Sequence, residues 1–329
     1  MLIHSMSMPL DPHTLQAYDS WDELREELHG LGCDGIEGIW GGEDIPPDFP
    51  RDLVSGYHLM FYQDWLDFWR EDKSALLKKY GSESMIASLY GGLDSQVLLD
   101  QYRADLERAV SLQVPYVVFH VTDVSVEECF TYQWLHSDLE VVDATVEFIN
   151  QLLGGRDWPF AFLVENQWWP GFRFMDPILT QRLLDGIDFP KKGIMLDTGH
   201  LMNCCPSLSS QEEGIAFISR MLDQHGSLAS AVQGLHLHQS LSGAYVATHT
   251  GTLPTPWPSD YMERFSRNYA HVLHIDQHLP WSNPSIRRVV ERIDPQFLTH
   301  ELTSRTREQR RQAVWLQQKT LGLRPTLPL

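Results

Sequence analysis

Short apolar runs alternate along the chain with stretches of helical period. Leu2 to Met6 reads as a first strand, and Trp21 to Leu31 as a helix with Asp19 or Ser20 as its cap. Gly35-Ile36-Glu37-Gly38-Ile39-Trp40 predicts a second strand and Val54 to Phe61 a third. Asp94 to Leu112 is helical in spacing and leads into Tyr116-Val117-Val118-Phe119-His120, a fourth strand. The alternation goes on through helix Leu139 to Leu153, strand Phe160 to Glu165, helix Asp176 to Leu184, strand Gly193 to Asp197 and helix Gly214 to Leu222. Val232 to His238 and Phe297 to Glu301 read as the last strands, with helices at Pro284 to Ile293 and Arg305 to Leu321. Strands that alternate with helices in this way predict a parallel α/β sheet. The expected fold is a (β/α)8 TIM barrel, with an open doubly wound sheet as the alternative.

Two stretches are too long for a minimal barrel: about 62–93 after strand three and 239–283 after strand seven. Both would be loops on the face where barrels build their sites. The first is rich in Tyr and Trp and broken by Gly81, Gly91 and Gly92, which suits a lid, a wall or a dimer contact. With no internal repeat and no Gly/Ser linker, residues 1–329 are expected to form one domain.

Composition narrows the class of partner. The formal net charge is −19, which argues against a broad basic footprint for nucleic acid or an anionic membrane. The substrate is therefore expected to be a small molecule, with nucleic acid disfavoured but still open and homo-oligomerisation undecided. There is no apolar run of the ~18 residues a membrane span needs, and the N-terminus has no signal-peptide pattern, so the cytoplasm is the expected compartment. Cys33, Cys129, Cys204 and Cys205 make no metal-type spacing and read as free thiols.

The chemistry is positional. His58 lies near the end of strand three, His120 ends strand four, Glu165 strand five and Asp197 strand six. His200 follows three residues after Asp197, His236 and His238 lie in strand seven, and Glu301 ends strand eight. In a barrel these ends meet on one rim. Glu165 follows Ala161-Phe162-Leu163-Val164 and Asp197 follows Gly193-Ile194-Met195-Leu196, so both carboxylates abut buried strands and need a partner. A divalent cation is one, and mixed imidazole and carboxylate donors suit Zn, Mn, Fe or Co.

Leu196-Asp197-Thr198-Gly199-His200 resembles the D-T-x-H element of the xylose isomerase-like TIM barrel superfamily. Val164-Glu165-Asn166 resembles its L-E-N element and Gly35-Ile36-Glu37 its G-x-E. That superfamily holds sugar isomerases and epimerases and the endonuclease IV-like (AP endonuclease 2) family. The isomerase and epimerase branch implies one metal on Glu165, Asp197, His236 and Glu301, with Glu165 and Glu301 as acid and base. The endonuclease IV branch implies three metals. His58, His120 and Glu165 would hold the first. Glu165, Asp197, His236 and Glu301 would hold the second, and His200 with Asp276-Gln277-His278 the third.

Zinc is the expected metal if the site is multinuclear, and manganese or cobalt if it is mononuclear. His200, His238, Phe61 and Trp168 are candidate substrate contacts. Gln239 stands where the family carries an acidic residue, and Asp276 lies roughly 40 residues beyond strand seven. His249 and His274 are spare ligands, and Arg173, Arg264 and Arg267 are candidate phosphate contacts. The leading expectation is a metal-dependent enzyme of sugar isomerase/epimerase type acting on a small sugar-like or phosphorylated substrate. The alternatives are an endonuclease IV-like trinuclear zinc phosphoester hydrolase and a non-catalytic binding barrel.

Overall fold

The structure is a computed structural model that describes residues 2–42 and 45–327. Eight strands run β1 (Ile3–Leu10), β2 (Gly35–Trp40), β3 (Val54–His58), β4 (Tyr116–His120), β5 (Ala161–Glu165), β6 (Lys192–Asp197), β7 (Val232–His236) and β8 (Phe297–His300). They pair in sequence order, all parallel, and β8 closes on β1. This is the (β/α)8 barrel that the apolar alternation predicts. Parallel register sets His120 beside Glu165 and Asp197 beside His236. Side chains with metal-binding chemistry therefore stand abreast at the carboxyl ends of the strands.

Local chemistry starts the helices where the pattern places them. Ser20 caps the helix Trp21–Leu31 by accepting from the Glu23 amide, and Gly32 ends it in the left-handed region at φ 77°. Ser137 and Glu140 form a capping box at the start of Asp138–Leu153. Inside the barrel, Tyr116, Val118, Leu163, Met195 and Phe297 pack together. Gly56 gives the Tyr116 ring its room, since a Cβ there would lie 2.1 Å from the ring. The Tyr116 hydroxyl (2.6 Å) and the Thr299 hydroxyl (2.8 Å) donate to one oxygen of the wholly buried Glu37.

β3 and β7 are shorter than the apolar runs suggest. β3 stops at His58, and the Met60 amide turns to the Asp105 carboxylate at 2.6 Å. β7 stops at His236, and Gln239 pairs instead with Leu279 through two backbone bonds of 2.8 and 3.1 Å. The rim thus takes the chain away from the ladder.

The two long insertions are helical. Helices Leu66–Trp69, Lys73–Tyr80 and Glu83–Tyr90 fill the first, and Gly243–His249 and Tyr261–Ile275 lie in the second. They meet above the rim. The Tyr80 and Tyr261 rings are 4.9 Å apart, and Arg264 donates to the Lys79 carbonyl at 2.9 Å while pairing with Glu127 at 2.8 Å. Lys79 is itself clamped by Asp64 (2.6 Å) and Asp67 (2.7 Å). Among the described residues no helix is long and apolar enough to cross a membrane.

Candidate metal centre

Glu165 sits at the middle of the rim, wholly buried. Its Oε2 has three imidazole nitrogens around it: His120 Nε2 at 3.2 Å, His58 Nε2 at 3.3 Å and His236 Nδ1 at 3.4 Å. None of these contacts has hydrogen-bond geometry, and among the described residues Oε2 has no hydrogen-bond partner. A buried carboxylate oxygen left in that state is costly unless a cation shares it. The other oxygen, Oε1, lies 3.0 Å from His200 Nδ1, and the Gln167 amide reaches it at 3.3 Å.

The surrounding donors fall into three groups. His58, His120 and Glu165 form the first. His58 Nδ1 donates to the Leu59 carbonyl at 2.8 Å, and its Nε2 lies 2.9 Å from His120 Nε2. Glu165, Asp197, His236 and Glu301 form the second. His236 turns Nδ1 toward Glu301 Oε2 at 2.9 Å and Nε2 toward Glu37 Oε1 at 2.9 Å, with neither contact aligned as a hydrogen bond. Glu37 therefore stands behind His236, on the side away from Glu301, where it can steady the imidazole.

His200, His238, Asp276 and His278 form the third. Asp276 and His278 do return to the rim, carried by the pairing of Gln239 with Leu279. His278 Nδ1 is 3.0 Å from the Glu301 carbonyl, and its Nε2 is 2.6 Å from Asp276 Oδ2. His200 Nε2 lies 3.3 Å from the same oxygen, with its Nδ1 3.0 Å from the Asn166 carbonyl. His238, expected from the sequence as a substrate contact, lies behind the cavity wall. His238 is fully buried, does not line the cavity, donates to Asp197 Oδ2 at 2.7 Å and stacks on His278 at 4.0 Å. It also explains the glycine of Asp197-Thr198-Gly199-His200, because a Cβ at Gly199 would come within 2.0 Å of the His238 ring. The structure joins His236, and not His238, to Glu165 and Glu301.

Secondary-structure elements as well as candidate donors are tied at this rim. Asp197 caps the helix Thr198–Asn203 by accepting from the His200 amide at 2.6 Å. Asn166 bridges β5 and β6, accepting from the Asp197 amide at 2.8 Å and donating to its carbonyl at 3.0 Å. The resemblance elements therefore carry structural work alongside their donors.

The electrostatics follow from packing carboxylates against imidazoles without solvent. Burial would push the Glu165 carboxyl up, but His120 and His236 hold it well below the usual carboxylate range. Burial would push His236 down, but Glu301, Glu37 and Glu165 raise it well above an ordinary imidazole. His200 is raised in the same way by Asp197 and Asp276. His278, opposed by burial, is pushed up by Asp276 to about 9. Burial dominates at His120 and lowers it. Cations held here would replace the protons these imidazoles carry. The unpartnered Glu165 Oε2, His236 Nδ1, Glu301 Oε2 and Asp276 Oδ1 are the atoms left open to them. The residues fit divalent metals with nitrogen and oxygen donors.

A cavity of about 510 Å³ opens above the rim, and His58, His120, His200, Asp276, His278 and Glu301 form part of its lining. Trp168 lines it with its ring 5.0 Å from His200, and Phe61 stands at the mouth with its ring 4.4 Å from His120. The other candidates lie away from it. His249 and His274 flank Tyr245, Arg173 pairs with Asp138, and Arg267 donates to the Pro256 carbonyl. Among the described residues all four cysteines are free thiols. From the sequence, Glu37 is named only as part of a resemblance element, with no role beside His236, and the wall formed by Phe265, Tyr269 and Leu273 is not anticipated. The helical spacing of Met262, Phe265, Tyr269 and Leu273 was the signal for that wall.

No protein-family model matches the sequence, and no curated protein matches it. Solved structures do resemble it. An endonuclease IV from Thermus thermophilus is 14% identical with a TM-score of 0.52, over 97% of this chain and 99% of that one. A D-psicose 3-epimerase in the presence of D-fructose is 11% identical with a TM-score of 0.51, over 97% and 99%. A D-tagatose 3-epimerase-like protein is 12% identical with a TM-score of 0.51, over 97% of both chains. The chain shares the fold of the xylose isomerase-like TIM barrels. That fold hosts more than one chemistry, so the reaction has to be argued from the site.

Proposed function

We propose that the protein is a metal-dependent hydrolase of phosphoesters with three cations on the rim. The observation that carries this reading is Glu165 Oε2, set among three imidazole nitrogens without a hydrogen bond and flanked by a donor group on each side. His58, His120 and Glu165 would hold one cation; Glu165, Asp197, His236 and Glu301 a second; His200, Asp276 and His278 a third, with His238 beside it. Such cations, when bound, supply charge stabilisation to a phosphoryl group and an activated water at neutral pH.

The protein's own part is positioning. The side chains of Glu165, Asp197 and His236 are fully buried and fix the base of the site. Those of His120 (13% exposed), Asp276 (13%), Glu301 (14%) and His278 (16%) reach the cavity, so the reacting group would enter between them. Glu37 orients His236, and Asn166 holds the Asp197 backbone in place. The aromatic walls shed water from the reacting group.

The isomerase or epimerase reading keeps an observation of its own. Glu165, Asp197, His236 and Glu301 form a complete four-donor set by themselves, and Glu301 Oε2 is unpartnered at the cavity side, where a proton could be exchanged with a sugar carbon. Assays of zinc-loaded protein with 4-nitrophenyl phosphate and bis(4-nitrophenyl) phosphate, beside ketose interconversion with manganese or cobalt, separate the readings. Ester hydrolysis that disappears in Glu165→Gln is the expected result. Ketose interconversion without hydrolysis supports the second reading, and neither activity supports a binding barrel.

A further inference from the structure

The upper part of the cavity is built for something other than a phosphate. Its walls are Tyr62, Leu89, Tyr90, Trp169, Phe265 and Leu273, most of them from the two insertions. Among the described residues no lysine or arginine lines it. Phe61 (52% exposed), Phe265 (41%), Tyr269 (63%) and Leu273 (45%) leave apolar surface bare around the mouth. At about 510 Å³ the cavity falls within the roughly 300–1,000 Å³ of pockets that enclose drug-sized ligands. A phosphate or a bare sugar phosphate would fill the base and leave these walls wet.

A polynucleotide fits poorly here. Phosphate backbones are positioned by cationic side chains, and among the described residues the cavity offers none besides its imidazoles. Arg264, in the wall helix, directs its two terminal nitrogens to Glu127 and the Lys79 carbonyl. Asn268 adds one neutral polar group, its Oδ1 buried in the lining without a partner.

We propose that the substrate is amphipathic: a compact phosphoester whose oxygen-rich end lies on the rim donors and whose other end is an uncharged, ring-bearing group seated between the aromatic walls. This rests on the phosphoester reading above and names the class of its substrate. Aromatic side chains hold flat apolar groups by area burial and ring stacking, and exposed ones around a pocket mark where such a group enters.

Calorimetry on the metal-loaded protein with two non-hydrolysable probes, methylphosphonate and 1-naphthylmethylphosphonate, is the test. The naphthyl probe is expected to bind roughly tenfold tighter or more, from the apolar area it buries. In the variant Phe265→Ala with Leu273→Ala, whose side chains are partly exposed, that ratio is expected to fall severalfold. Equal constants for the two probes in the unaltered protein overturn the proposal while leaving the phosphoester reading standing. Equal constants with a dimer in sedimentation overturn it too, and assign the bare rim to a second copy of the chain. Binding of neither probe overturns the phosphoester reading, and this proposal with it.

Discussion

The rim and the wall above it are built on different principles. On the rim, His58, His120, Glu165, Asp197 and His236 sit at the ends of parallel strands whose positions are set by their neighbours' hydrogen bonds, so His120 faces Glu165 and Asp197 faces His236 by register alone. In the wall, position depends on side-chain contacts between and within the insertions: Tyr80 against Tyr261, Arg264 on the Lys79 carbonyl, Lys79 between Asp64 and Asp67. Specificity is expected to live in the wall.

Breaking the rim should have the largest effect. Glu165→Gln removes the charge shared by two donor groups. It should cost metal affinity more than the roughly 10- to 100-fold typical of outer partners, with loss of activity, read by metal titration and turnover. Near-normal turnover would contradict the assignment. Glu37→Gln acts one step back, through His236, and should weaken metal binding by roughly 10- to 100-fold while the fold survives, measured by competition with a chelating dye.

Much of the rim was legible in the sequence because a buried parallel strand leaves only its carboxyl end free for chemistry. Glu165 after Ala161-Phe162-Leu163-Val164 and Asp197 after Gly193-Ile194-Met195-Leu196 are placed by that logic, and the structure brings them together. Asp276 and His278 were not placeable in this way. Their return depends on the pairing of Gln239 with Leu279 across an insertion, a contact no local pattern announces. That return is also what moves the phosphoester reading ahead of the isomerase one. His236 and His238 share a strand face in sequence, yet the ladder ends between them, and each joins a different donor group. In the first insertion, Gly81 and Gly91 look like breaks. They are helix ends in the left-handed region, at φ 82° and 83°, so three short helices read as irregular chain.

A smaller effect concerns pH. His278, raised from 6.5 to about 9, stabilises the metal-free protein through its pair with Asp276. Because the folded-state value is the higher one, that stabilisation is complete below about pH 6.5 and fades as pH rises through about 9. Thermal melts of chelator-treated protein should therefore lose midpoint across that window. Metal-loaded protein should bind its cations more tightly over the same rise, since they no longer compete with protons. The same slope in both states would contradict the ligand role of His278.

The wall should yield the smallest change in stability. Arg264→Ala removes a partly exposed ion pair and one bond to the Lys79 carbonyl, at about 1 kcal/mol or less. It should raise KM more than it lowers kcat, because it loosens the wall and spares the donors. A fall in kcat at constant KM would place Arg264 in the chemistry and blur the division between rim and wall.

The most direct test of the three-group centre is metal per chain, by elemental mass spectrometry on protein purified without chelator or affinity metal. About three equivalents, mostly zinc, is the predicted result, falling by about one in Asp276→Asn. One equivalent that Asp276→Asn leaves in place, or none after adding metal back, would contradict it.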